Sequence, residues 1–215
     1  MSKKVEPIAT GTPSEVDVRT QRDYQEFCLW IGHALSQWSL LESELAFLYA
    51  VAMRVRELGV AVESFYASQS FQTNLKQVDV VVKIALREHP EQLAVWTNLY
   101  NRLTKLQQRR NQIAHGRVFG ITMNSQDKAL SEYYGVRLVP FYGRLRVNQP
   151  EPLPQIRIEK LKAYEPIDLA QLHEIIERIG KATTDIGIFT GTVTPIIWGE
   201  QKSESQSSAN MKGQG

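Results

Sequence analysis

The eight residues Arg109–Gly116, with the sequence RRNQIAHG, combine side-chain types that can act on a phosphate ester. Asn111 and His115 are four residues apart, so on a helix they lie side by side on one face. A histidine can serve as general acid or base near neutral pH, and the partial negative charge of a helix end favours its protonated form. The spacing therefore predicts a proton-transfer group at a helix end, steadied by a neighbouring amide.

Arg110 interrupts the apolar pattern of the same segment. From Trp96 to Ile113 apolar residues recur at steps of three and four, and Arg110 occupies one position of that series. A guanidinium directed into a bundle or a dimer seam needs a carboxylate or an anionic ligand, because an unpaired buried charge is costly. A cation, a proton carrier and an amide suffice for phosphoryl chemistry without a metal. The same three residues are also compatible with a solvated or capping group that performs no chemistry.

Helical periodicity dominates the rest of the chain. It predicts a long first helix with its apolar stripe between Phe27 and Ala52, and a second long helix from Phe71 to His89. Pro90 is well placed as the first residue of the next helix, with Gly116 as its C-terminal cap. Asp168 is expected to cap a last helix.

The period changes to two between these last two helices. Residues 134–142, 144–147 and 155–158 alternate apolar and polar side chains around Gly143, and residues 118–123 can contribute another strand. Pro140 indicates an edge strand or a bulge. The fold class expected is therefore mainly α: an antiparallel bundle of four to five helices with a small antiparallel β insertion before the last helix.

Composition divides the chain into three parts. Residues 1–19 are expected to be a flexible arm, residues 20–190 a helical domain with its β insertion at about 117–160, and residues 191–215 a mostly disordered tail. The net charge of +2 excludes a histone-like binder held by bulk charge. The single cysteine, Cys28, excludes an internal disulfide framework and a thiolate metal site.

The compartment expected is the cytoplasm. The N-terminal residues have no apolar core of the kind found in a signal peptide, and the longest apolar run, residues 45–53, is too short to span a bilayer. A lone cysteine is typical of a reducing compartment. We therefore expect a soluble protein with no membrane partner, no metal and no cofactor.

The string Arg110-Asn111-x-x-x-His115 resembles the R-x4-6-H signature of the HEPN superfamily (higher eukaryotes and prokaryotes nucleotide-binding). The resemblance extends to the first helix with Trp38-Ser-Leu-Leu-Glu42 and to the late helix that opens with EPIDLAQL. It covers roughly residues 22 to 188, in architecture rather than in close identity. Many members of this superfamily are metal-independent endoribonucleases of toxin–antitoxin, CRISPR-associated and phage-defence systems.

The resemblance implies a homodimer in which two R-x4-6-H helices face each other and build one composite site. His115 would serve the attack of the 2′-hydroxyl or protonate the leaving 5′ oxygen. Arg110 would hold the phosphate, and Asn111 would orient His115. The product would carry a 2′,3′-cyclic phosphate. An antitoxin or a defence-system protein would be a further partner.

Basic residues surround the motif in two windows without acidic residues, 92–126 and 133–150. Such a concentration in a nearly neutral chain is typical of an RNA-binding surface, although solvated helix faces are also often basic. Glu42, one turn after Trp38, is a candidate partner that would aim Arg110, with a glutamate reaching solvent as the alternative. The residues expected to bind RNA phosphates or to support the site are Arg102, Lys105, Arg109, Arg117, Arg144 and Arg146.

Three functions are compatible with this sequence. The leading one is a metal-independent endoribonuclease. The second is a catalytically silent HEPN-like module that binds nucleotide or RNA through the same cations. The third is an interaction protein whose Arg110 pairs with a partner's carboxylate.

Overall fold

The computed structural model describes residues 15–68, 70–122, 133–140, 155–156 and 166–212. Within these ranges the chain is mainly helical and carries a small sheet before its last helix, which confirms the expected fold class. The helices are α1 (Glu15–Ala52), α2 (Leu58–Tyr66), α3 (Phe71–Ala85), α4 (Pro90–His115) and α5 (Leu169–Lys212). The strands are β1 (Gly116–Thr122), β2 (Tyr133–Pro140) and β3 (Gln155–Ile156). None of the helices in these ranges has a stretch apolar enough and long enough to cross a membrane.

The described residues form two compact units. The helical unit contains residues 30–115 and the residues from Ala170 onward, and the sheet unit contains the residues up to Leu29 together with those of 116–169. α1 contributes its first part to the sheet unit and its remainder to the helical unit. The segment predicted as one domain, 20–190, is thus shared between two units.

The apolar stripes predicted from the sequence are the buried faces of the helices. On α1 the stripe includes Trp38, Leu41 and Leu45, each 2% exposed or less. The buried residues of α4 are Trp96, Leu99, Leu103, Leu106 and Ile113. Burial of such side chains stabilises a fold by about 1.5–3 kcal/mol each, so these stripes carry much of the stability of the helical unit.

The sheet unit is organised around β1. β2 pairs with β1 in antiparallel register from Gly116 opposite Pro140 onward, as predicted, and β2 lies at an edge of the strand order β2-β1-β3. β3 pairs with β1 in parallel through Gly120 and Ile121, so the third strand departs from the antiparallel expectation. Alternation of side chains predicts a strand but carries no information about its direction. Residues 144–147, expected to form a further strand, lie outside the described residues.

The ends of the long helices also differ from the sequence expectation. α1 begins at Glu15, inside the predicted flexible arm, and α5 continues to Lys212, through the predicted tail. α5 passes through Pro195, which cannot donate a helical hydrogen bond, while Val193 and Ile197 on either side are fully buried. The burial of these two side chains outweighs the hydrogen bond lost at Pro195. The polar composition of the following residues predicts that they have no apolar face to bury, but it does not exclude a helix.

Asp79 on α3 joins α3 to α4. Its Oδ1 accepts a hydrogen bond from Trp96 Nε1 at 2.9 Å, and its Oδ2 accepts one from Lys83 Nζ at 2.7 Å. Trp96 is fully buried, so its indole N–H has no access to water as an alternative acceptor. Asp79 therefore satisfies a buried donor on the helix that carries the candidate site.

We predict that Asp79→Ala lowers the free energy of unfolding by about 2 kcal/mol, because it leaves the buried N–H of Trp96 unpaired. Urea denaturation measures this loss. Glu88→Ala is the matched control, since it removes an exposed ion pair with Arg87 and should cost less than about 0.5 kcal/mol. Equal losses in the two variants would contradict the role given to Asp79.

Candidate phosphate-chemistry site at the end of α4

Arg110 lies on the buried line of α4, where the sequence predicted an apolar residue. The residue is half-buried, and its Nε is fully buried without a hydrogen-bond partner. Its Nη1 donates a long and therefore weak hydrogen bond to Asn111 Oδ1 at 3.5 Å. Within the described residues no carboxylate pairs with this guanidinium. Among the described residues, the positive charge of Arg110 is therefore largely uncompensated.

Glu42 does not form the ion pair with Arg110 that we considered from the sequence. Its Oε1 accepts a hydrogen bond from Trp38 Nε1 at 3.1 Å, one turn earlier on α1. The Trp38 side chain is 2% exposed, so its indole N–H needs a protein acceptor and Glu42 is the neighbour in reach. The support expected for Arg110 thus goes to a core tryptophan instead.

His115 is the last residue of α4 and is exposed. Asn111, one turn earlier, is half-buried and receives the Arg110 hydrogen bond. The helix ends where the sequence predicted, but Gly116 is not a left-handed cap: it is the first residue of β1, paired with Pro140, and among the described glycines only Gly135 has a positive φ. A strand follows His115 directly, so the glycine is used for extension rather than for a turn.

The helical repeat separates Arg110 from His115. Five residues of α-helix rotate the side-chain direction by about 140°, so the two point away from a common target on one helix. Asn111 differs from His115 by only about 40° in the same geometry. The three motif residues therefore divide into a half-buried Arg110, an exposed His115 and an asparagine that touches the first and shares a face with the second.

Three of the predicted phosphate-binding and supporting residues lie on another line of α4. Arg102, Lys105 and Arg109 recur at steps of three and four, and Arg109 is about 120° from His115 around the helix. Arg109 is exposed and donates from Nη1 to Gln112 Oε1 at 2.9 Å. The cations that the sequence assigned to one RNA surface are thus turned away from the histidine.

Arg102, Lys105 and Arg109 line a cavity of about 650 Å³ between α4 and α5. α5 contributes Arg178 and Lys181, which the sequence analysis missed. The missing signal was the helical period of the last helix: Glu174, Arg178, Lys181 and Asp185 also recur at steps of three and four, which places them on one face. Two of these four are acidic, so no acid-free window marked them.

The remaining predicted RNA-binding residues are Arg117, Arg144 and Arg146. Arg117 is an exposed residue of β1 in the sheet unit. Arg144 and Arg146 lie outside the described residues. In the parts of the chain that the structure describes, no three His, Cys, Asp or Glu side chains come together in a way that could hold a metal ion.

Compared with family models, with curated proteins and with solved structures, the chain matches none of them. The resemblance to the HEPN superfamily therefore rests on the motif residues and on the helical architecture alone.

We predict that Arg110→Met raises the free energy of unfolding by about 1 kcal/mol, because it removes a buried, unpartnered Nε and keeps a long apolar stem. Ile113→Ala, at the next position of the same buried line, should cost about 2–4 kcal/mol. Urea denaturation of both variants measures the contrast. A loss above 1 kcal/mol in Arg110→Met would show that Arg110 has a structural partner in the native protein.

Proposed function

We propose that the protein is a metal-independent endoribonuclease of the HEPN type, acting as a homodimer. The proposal rests on the motif Arg110-Asn111-x-x-x-His115, whose residues have the types and the spacing of the R-x4-6-H signature. Its setting would be that of many proteins with this signature, a toxin–antitoxin or phage-defence system in the cytoplasm, with an antitoxin or defence protein as partner.

The observation that carries the proposal is the uncompensated guanidinium of Arg110. A half-buried arginine without a carboxylate in the described residues destabilises its own fold, since a buried donor without an acceptor costs about 1–3 kcal/mol. A structural role would be served better by an apolar residue at this position. Such a charge is useful where an anion is bound, and its hydrogen-bond partner Asn111 is one turn from the exposed His115.

The reaction that these groups can support is transesterification of RNA. A histidine accepts the proton of the 2′-hydroxyl, and the 2′ oxygen attacks the adjacent phosphorus. The bond from phosphorus to the 5′ oxygen breaks, and a second proton donor protonates that leaving oxygen. Arg110 holds the negative charge that develops on the phosphoryl oxygens. The products are a 2′,3′-cyclic phosphate and a 5′-hydroxyl, with no oxidant, metal or cofactor in the balance.

A second copy of the chain supplies what one α4 cannot. The reaction uses one proton acceptor and one donor, while each copy carries a single His115. The rotation of about 140° between Arg110 and His115 also prevents one helix from aiming both straight at one phosphate. In a two-fold dimer, two α4 ends would contribute two histidines and two guanidinium groups to a shared cleft.

Cleavage of single-stranded RNA in EDTA tests the proposal. Wild-type protein should convert a labelled oligonucleotide to products ending in a 2′,3′-cyclic phosphate. His115→Ala and Arg110→Met should each lower the rate about 10²-fold or more, because each removes a group that acts in the transition state. His33→Ala and Arg87→Met are matched controls on α1 and after α3 and should cleave at the wild-type rate.

Three results would contradict the nuclease proposal. If RNA binds but is not cleaved under any of these conditions, the protein is a binding module. If it neither binds nor cleaves RNA, the protein is an interaction protein whose Arg110 pairs with a carboxylate of a partner. A cleavage activity that survives in His115→Ala would belong to a contaminant or to other residues.

We predict a dimer in sedimentation equilibrium at micromolar concentration, and loss of that dimer should lower cleavage in proportion. Mixing wild-type protein with an excess of His115→Ala protein should lower the cleavage rate per wild-type chain, because a mixed dimer keeps one imidazole where the reaction uses two. A monomer that cleaves RNA at full rate would rule out the composite site.

A further inference from the structure

The cavity between α4 and α5 lies outside the proposed nuclease site, and the mechanism above does not use it. α4 contributes Arg102, Lys105 and Arg109, and α5 contributes Arg178 and Lys181. α4 and α5 run antiparallel here: residues 102–109 of α4 line this cavity with 175–181 of α5, and the earlier residues 92–102 line an adjacent cavity with the later residues 185–192. Both helices belong to the helical unit.

The side chains around this cavity carry more net positive charge than the whole chain does. Its five cationic side chains are accompanied by two carboxylates: Asp185, which accepts from Arg102 Nη1 at 2.7 Å, and Glu174, which pairs with Arg178. The excess of three positive charges is larger than the net charge of +2 of the whole protein. The local balance therefore differs from that of the remaining surface.

Lys105 and Lys181 line the cavity from opposite helices, and within the described ranges neither ammonium group pairs with a carboxylate. Two like charges that share one cavity repel each other, and an anion that binds between them offsets this repulsion. Leu106 and Ile175, which are 7% and 6% exposed, also line the cavity and supply apolar surface next to the cations. Apolar walls screen charges less than water does, so each cation attracts a bound anion more strongly than it would in open solvent.

The distribution of charge favours a compact ligand over an RNA strand. Arg102 and Arg109 are separated by about 10 Å along α4, since each residue rises 1.5 Å. Glu174 and Asp185 lie at the two ends of the basic line on α5. A groove for single-stranded nucleic acid follows the backbone over about four or more nucleotides. Here the carboxylates at both ends would repel a strand that continued past the cavity.

We propose that the α4–α5 cavity is a binding site for a compact oligophosphate, the chemical group shared by free polyphosphates and by the phosphate chain of a nucleotide. Its volume of about 650 Å³ lies in the range of small-molecule sites, about 300–1,000 Å³. Lys105, Arg109 and Lys181 bind the phosphoryl oxygens. Arg102 and Arg178 remain at the two ends, each held by its carboxylate.

An adjacent cavity offers a place for a nucleoside. It has a volume of about 380 Å³ and shares Arg102 with the basic cavity. Its walls include Val95 and Ile188, which are 51% and 65% exposed, and Phe189. Apolar surface of this kind can cover the flat ring of a base, so affinity for a nucleotide above that for the bare phosphate chain would identify the nucleotide as the source of the group.

Isothermal titration calorimetry of the full chain in EDTA tests the site with two probes, inorganic tripolyphosphate and ATP. Each should bind once per chain. Lys105→Gln combined with Lys181→Gln should weaken both probes about 10-fold or more, because charge-assisted hydrogen bonds to phosphate are lost. Lys76→Gln combined with Arg87→Gln, two exposed cations outside the cavity, removes the same net charge and should change affinity less than 2-fold.

A thermal-unfolding measurement checks that the double variant is folded. Without ligand, Lys105→Gln/Lys181→Gln should melt at or above the wild-type temperature, because the repulsion between the two ammonium groups is gone. Tripolyphosphate should raise the melting temperature of the wild type and leave that of this variant nearly unchanged.

Equal affinity for tripolyphosphate and ATP would show that the phosphate chain alone is recognised. Tighter binding of ATP would show that the neighbouring apolar cavity also binds the nucleoside. Absence of binding, or equal weakening in both double variants, would overturn the proposal. So would a 2′-O-methyl RNA decamer that binds through Lys105 and Lys181 more tightly than tripolyphosphate at the same salt. His115→Ala must bind both probes normally, which separates this site from the fate of the nuclease proposal.

Discussion

The guanidinium of Arg110 is the constraint on which the account depends. Arg110 lies on the same line of α4 as five buried apolar side chains. Among the described residues its Nε has no hydrogen-bond acceptor, and its Nη1 donates to the next residue, Asn111. A fold accepts such a cost only where the side chain serves something other than packing. Since Glu42 is committed to Trp38, the chain offers Arg110 no carboxylate among its described residues. An anion bound from outside would compensate the charge that these residues leave open.

The helical repeat then decides what α4 can do. One face carries Asn111 and the exposed His115, the buried line carries Arg110, and a third line carries the cations from Arg102 to Arg109. The side chain suited to proton transfer, His115, and the cations suited to phosphate binding, Arg102 to Arg109, therefore point in different directions from the same helix. In the proposed nuclease the first direction would need a second copy of the chain, while α5 lines the second direction within the same chain. The two proposed anion sites would then have different partners.

Much of the fold followed from periodicity, because burial of a stripe at steps of three and four leaves few alternatives to a helix. The limits were physical. Residues 199–212 are mostly polar in sequence, so their composition could not show that α5 continues through them. Gly116 was compatible with a cap or with a strand, and only the pairing with Pro140 decides for the strand. Acid-free windows identified three of the five cations of the basic cavity. They missed Arg178 and Lys181, because cations that alternate with acidic residues along a helix have no such signature.

Nuclear magnetic resonance of the arginine Nε–Hε groups tests whether the Arg110 guanidinium is buried and available to an anion. The variant Arg110→Lys assigns the signal of Arg110. The account predicts a slowly exchanging Nε–H for Arg110 that shifts when an uncleavable 2′-O-methyl RNA is added. It also predicts that tripolyphosphate shifts the Arg109 signal and leaves that of Arg110 in place. A rapidly exchanging Arg110 signal that responds to neither compound would contradict a buried guanidinium held available for RNA.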